Sequence, residues 1–241
     1  MSERTPQQAG QPQQADEQQD DGYTIWSVHR RGATADGGSG AGTSLADEIA
    51  ALEREGIVVR GIYDVSGMRH DADVMVWMHG APGAAVEPQA LQAAVRRVRR
   101  TRELAGTTQT WGAMGVHRDA EFNKRHVPGY MRGIEPKQWV TVYPFNRSYD
   151  WYLLPAEDRG RMLAEHGRAG AAYRGVVANT VSAFALGDYE WILPLEADEL
   201  TELVDMMREL RAVEARMHVR DEIPFFTGRR IAADEIEEVL A

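Results

Sequence analysis

Residues 139–173 read WVTVYPFNRSYDWYLLPAEDRGRMLAEHGRAGAAY, and the rest of the chain is organised around this stretch. Val140 and Val142 alternate with Trp139, Thr141 and Tyr143, the two-residue period of a half-buried strand. Pro144 holds Tyr143 extended, which places the phenol near a strand end. Downstream, Pro155 suits the first position of a helix, and Glu157 and Asp158 complement the positive end of its dipole. Met162, Leu163 and His166 form the inward stripe of that helix. Gly167, Ala169, Gly170, Ala171 and Ala172 surround the histidine, although each glycine costs a helix about 1 kcal/mol against alanine. Such small residues leave room beside the imidazole for something flat and large. By spacing alone, His166 is either a core histidine on a closely packed helix or a metal ligand.

Upstream, YTIWSVHR (residues 23–30) reads as a strand, and LADEIAALEREG as a helix capped by Thr43 or Ser44 and ended by Gly56. The strand-like runs IVVRGIYDVSG and ADVMVWMHG are separated by a polar turn around Arg69 to Asp71. A helix over about residues 88–105 and the strand TWGAMGVH complete the first series. After residue 139 the series starts again: strand, His166 helix, YRGVVANTVSAFA, GDYEWILPLEA, a helix over about residues 198–217, and PFFTGRRI. Strand, helix, strand, strand, helix, strand therefore occurs twice. The expected fold is α+β, two tandem ferredoxin-like βαββαβ repeats whose antiparallel sheets join, with helices outside. The expected division is a disordered tail over 1–21, repeats over 22–116 and 138–241, and a connecting loop over 117–137.

Composition narrows the chemistry. Across 241 residues, 43% hydrophobic content suffices for a core, while a net charge of −10 argues against a nucleic-acid partner. Arg96, Arg97, Arg99, Arg100 and Arg102 form the solvated face of an amphipathic helix. The absence of cysteine excludes disulfides, thiolate ligands and iron–sulfur clusters, so any metal is bound through nitrogen or oxygen. No apolar run is long enough to span a bilayer, and a cytoplasmic protein is expected. The loop RGATADGGSGAG lacks the P-loop lysine and the dinucleotide glycine spacing, and reads as a connector. Arg118, Lys124, Arg125, His126, Arg132 and Lys137 concentrate in the connecting loop of an acidic chain, where they suit a small anionic ligand or merely a solvated surface. His29, His70, His79, His117 and His218 show no ligand pattern, Trp191 reads as core, and Glu190 and Asp188 are candidates to orient a histidine.

The duplicated order, together with Tyr143-Pro144, Arg147, Trp151-Tyr152 and His166-Gly167, resembles the chlorite dismutase-like superfamily from about residue 23 to 231. Within it, the similarity is greatest to the coproheme-decarboxylating enzymes, in their distal-histidine branch. The resemblance implies a dimeric α+β barrel-type subunit with His166 as the proximal iron ligand. It implies that Tyr143 is a redox-active phenol beside a propionate and that His126 is the distal acid–base group. Arg147 and, more loosely, Arg132 would contact propionates; Asn179 stands at the position of a distal glutamine in another branch and is grouped with the cofactor-binding residues. The activity implied is hydrogen peroxide-dependent oxidative decarboxylation of two propionates of Fe-coproporphyrin III (coproheme) to give haem b, the last step of coproporphyrin-dependent haem biosynthesis. The iron porphyrin would be both substrate and redox cofactor. A homopentamer and transient contact with a ferrochelatase are implied as well. The rival readings are a chlorite dismutase, which goes with a distal arginine, a haem peroxidase, and a haem-delivery protein, which needs neither a redox phenol nor an anchored propionate.

Overall fold

Local signals place the elements of the first half: β1 (Thr24–Arg31), α1 (Leu45–Arg54), β2 (Ile57–Asp64), β3 (Val74–Gly80), α2 (Pro88–Val98) and β4 (Thr107–Gly115). The computed structural model describes residues 21–32, 42–118 and 127–241; residues 1–20 of the tail expected over 1–21, most of the glycine-rich connector and His126 lie outside the described residues. Ser44 caps α1, its hydroxyl accepting from the Asp47 N–H at 3.1 Å, and Gly56 leaves it at φ +80°. Helix α2 stops at Val98 rather than near residue 105, because the Thr101 hydroxyl donates to the Val98 carbonyl at 2.7 Å and the chain tightens into turns.

The second half repeats the order: β5 (Trp139–Arg147), α3 (Ala156–Gly170), the short strands β6 (Val177–Ala178) and β7 (Val181–Ser182), β8 (Trp191–Ala197), α4 (Leu200–Leu210), β9 (Val219–Asp221) and β10 (Phe226–Ile231), closed by α5 (Ile236–Val239). Pro155 caps α3 instead of opening it. The helix expected to run to residue 217 ends at Leu210, and a 3-10 turn follows at Glu214–His218. Breaking the helix there buries Val213 and Ala215 against Trp151 and Met162, a gain that a continued helix would forgo.

All strand pairs are antiparallel, in the order β4-β1-β3-β2-β10-β5-β8-β6, with β7 also on β8 and β9 on β5. Each half thus runs fourth, first, third, second, and the halves join where β2 meets β10, Ile62 opposite Ile231. The sheet is not the closed barrel the resemblance implied. Its two ends touch at one bridge, in which Val116 and Ser182 exchange N–H···O bonds of 2.8 and 2.9 Å. Two-residue strands at β6 and β7 are too short to build a second ladder there.

Helices cover one face of the sheet. On the opposite face Trp26, Val28, Tyr63, Met75, Trp77, Val140, Val142, Ile192 and Phe226 form one core shared by both halves. A buried polar network crosses the same junction: Arg60 of β2 donates to Glu196 of β8 from Nη2 at 2.6 Å and Nε at 2.9 Å, and to the Ile134 carbonyl at 3.0 Å. Asn179 donates to Glu196 at 3.0 Å and accepts from the Tyr130 N–H at 2.9 Å. These bonds pin residues 130–134 as an anchored turn within the connecting loop.

His29 is fully buried between the Ser27 and Thr107 hydroxyls, each 3.1 Å from a ring nitrogen. Burial, aided by the charge of Arg99, lowers its pKa to about 4. The unfolded chain therefore binds a proton that the native state refuses, and stability falls as pH drops from the ordinary histidine range toward this value. The loss at the acid end is on the order of 3 kcal/mol. Denaturant titrations at pH 7 and at about pH 4.5 are expected to show a smaller acid loss in His29→Gln than in the parent chain; equal losses would refute the assignment.

Candidate active-site cleft

The period of β5 that sends Val140 and Val142 into the shared core sends Tyr143, Phe145 and Arg147 to the helix-covered side. There they line a cleft opposite His166 of α3, Met207 and Leu210 of α4, and Arg211 just after it. Leu193, the cross-strand partner of Tyr143, forms part of the floor. Ala215, Arg216, Val219 and Glu222, from the segment after α4, close one side. Three residues singled out in the sequence, Tyr143, Arg147 and His166, thus meet in one cavity.

Tyr143 is 3% exposed, stacks on Phe225 at 4.3 Å between ring centres, and donates its hydroxyl to the Met207 thioether at 3.5 Å. Burial, reinforced by the Glu222 carboxylate, pushes the phenol far above its ordinary range and keeps it protonated. The Arg147 guanidinium lies over Trp151 at 4.1 Å and over Phe145 at 5.0 Å, so aromatic faces hold its charge at the cleft. Its backbone N–H donates to Glu190 at 2.8 Å, and Glu190 also accepts from the Tyr152 hydroxyl at 2.9 Å. Glu190 therefore fixes the end of β5 rather than orienting His166, and Asp188 offers its carbonyl to Asn146.

Burial, and secondarily the charge of Arg147, hold His166 below its ordinary pKa. The imidazole is therefore neutral near pH 7, as a metal ligand must be. No other described residue hydrogen-bonds its ring. Gly167 is exposed and does not line the cleft, so the open space around it faces solvent. Across the cleft, Glu222 accepts from Arg211 Nη1 at 3.0 Å and lies 2.9 Å from its Nη2 and 2.8 Å from Arg216 Nη1. Glu222 thus pairs with both guanidinium groups. A neutral imidazole and the guanidinium groups of Arg147, Arg211 and Arg216 in one cleft suit an iron complex that carries carboxylates.

The structure places the other candidates elsewhere. Arg132 is exposed on the turn after Pro128 and does not line the cleft. Asn179 is fully buried, its amide committed to Glu196 and Tyr130 between the two halves, which corrects its grouping with the cofactor-binding residues. His126 lies outside the described residues. Sequence reasoning missed Phe145, which the two-residue period from Tyr143 could have supplied, and Arg211, Arg216 and Glu222, which no local pattern marks.

The family model described as chlorite dismutase matches residues 41–231. A coproheme decarboxylase of Mycolicibacterium smegmatis is 52% identical over 197 residues, 80% of this chain and 83% of the relative. A coproheme decarboxylase of Thermus thermophilus is 26% identical over 205 residues, 81% of each chain. The solved chlorite dismutase of Candidatus Nitrospira defluvii with imidazole superposes with a TM-score of 0.73 at 20% identity, covering 92% of this chain and 96% of that one. A sheet of the same architecture, a family match over most of the chain and a relative 52% identical over 80% of it agree: the chain belongs to the chlorite dismutase family.

Proposed function

We propose that this chain is a coproheme decarboxylase, converting coproheme to haem b with hydrogen peroxide as oxidant. The observation that carries the reading is the meeting of Tyr143, Arg147 and His166 in one cleft, in a chain 52% identical to a named coproheme decarboxylase. When bound, the iron porphyrin and peroxide supply the oxidising power. His166 would hold the iron through its neutral imidazole, and Arg147 and Arg216 would pair with propionates. Tyr143, a protonated phenol in a buried site, is suited to give up a hydrogen atom and to take one from a propionate β-carbon. Each round converts one propionate and one peroxide to a vinyl group, CO2 and two waters. His126, by its residue type, would move the proton of the peroxide. The resemblance supports this role, since that residue lies outside the described ones.

The same reading takes residues 22–116 and 138–241 as two repeats joined by 117–137, with the porphyrin on the second. It also takes the chain as a cytoplasmic homopentamer that meets a ferrochelatase transiently. Among the described residues no helix is long and apolar enough to cross a membrane.

The test is to titrate the coproheme complex with peroxide and follow the porphyrin by mass spectrometry. Loss of two carboxyl groups in sequence is the expected result. A porphyrin that stays bound and keeps all its propionates, or is only bleached, would move the reading to a carrier or a peroxidase.

A further inference from the structure

Glu222 presents a carboxylate inside a cleft suited to bind carboxylates. It takes both Nη groups of Arg211, crowds Arg216 Nη1 at 2.8 Å, and is itself only 14% exposed at the side chain. Two guanidinium groups thus share one carboxylate. An incoming propionate can reach them only by entering beside Glu222, where two carboxylates repel, or by displacing it.

We infer that Glu222 is a resident stand-in for a substrate carboxylate: it holds Arg211 and Arg216 in place and yields to a propionate when coproheme binds. The inference rests on the decarboxylase reading above. Because Tyr143 lines the same cleft and senses the Glu222 charge, the propionate admitted here is one that reacts. Once it becomes a vinyl group, nothing competes for the arginines, and Glu222 returns to them. Glu222 therefore sets specificity, weakening the grip on a four-carboxylate substrate without weakening that on the two-carboxylate product. It discriminates by charge exchange and touches no reacting atom.

The expected signature is a change in the ratio of two dissociation constants. In Glu222→Gln, coproporphyrin III, with or without iron, should bind roughly fivefold tighter, the scale of one partly screened ion pair, whereas haem b should change less than twofold. Fluorescence quenching reads the metal-free porphyrin and absorbance the iron forms, so the result does not depend on turnover. Glu222→Asp, which keeps the charge but shortens its reach, should shift the ratio in the same direction by less, and serves if the glutamine variant folds poorly. Equal tightening of both porphyrins would reduce the effect to net charge, and weaker coproporphyrin binding would make Glu222 a scaffold for the arginines; either overturns the proposal. Parent chain run alongside separates the two levels: if it neither binds nor decarboxylates coproheme, the functional reading itself has failed.

Discussion

Tyr143→Phe is expected to lower the rate of coproheme decarboxylation by at least about 10³-fold while leaving coproheme binding within a few-fold of the parent chain. The substitution removes one oxygen atom. The ring stack on Phe225 is unaffected, and the only hydrogen bond lost is a long one to the Met207 sulfur. Stability should therefore change by less than about 1 kcal/mol, which separates a chemical defect from a folding defect. What disappears is the O–H that exchanges a hydrogen atom with the propionate. Since burial and Glu222 keep that phenol protonated, the decline should be uniform across pH 6–8, with no alkaline recovery. Single-turnover mass spectrometry on pre-bound coproheme is the measurement, and a variant retaining a tenth of the parent rate would remove Tyr143 from the mechanism.

The second large effect is expected far from the cleft, at Arg60 and Glu196. Their side chains are 3% and 0% exposed, and burial pushes the Glu196 carboxyl up while Arg60, the Lys137 N–H and Asn179 pull it back. Arg60→Ala leaves a buried carboxylate without its cation, and Glu196→Ala strands the guanidinium between the two halves. Each should cost about 3–5 kcal/mol and lower the melting temperature by roughly 10 °C. The double change Arg60→Met with Glu196→Leu removes both charges and should recover most of that loss, because apolar groups of similar volume need no counter-charge. Differential scanning calorimetry on all three variants decides the matter. Single substitutions that cost less than 1 kcal/mol would show that the pair is solvated or relaxed in the native state.

That ion pair also shows why the anchoring of residues 130–134 is not legible in the sequence. Arg60 and Glu196 are separated by 136 residues, and neither carries a local signal of its partner. The hydrogen-bond partners of the loop, Arg60 and Asn179, lie remote from it along the chain. Asn179 was grouped with the cofactor-binding residues through its position in the resemblance, and its full burial, with the amide committed to Glu196 and Tyr130, is a tertiary fact.

Periodicity and capping chemistry determined much by themselves. The two-residue alternation at 139–145, the cap at Ser44, the glycine stop at Gly56 and the repeated order of elements are short-range consequences of backbone sterics, legible without a structure. Tyr143, Arg147 and His166 were singled out through the family resemblance, while spacing alone left His166 open between a core residue and a ligand. Only the tertiary structure decided that the sheet ends meet at a single bridge, that α4 breaks after Leu210 to bury Val213 and Ala215, and that this break brings Arg211, Arg216 and Glu222 to the cleft. Helix length, closure of the sheet and the pairing of charges depend on which distant surfaces come together and how much burial each arrangement gains, and those energies belong to the whole fold rather than to any window of sequence.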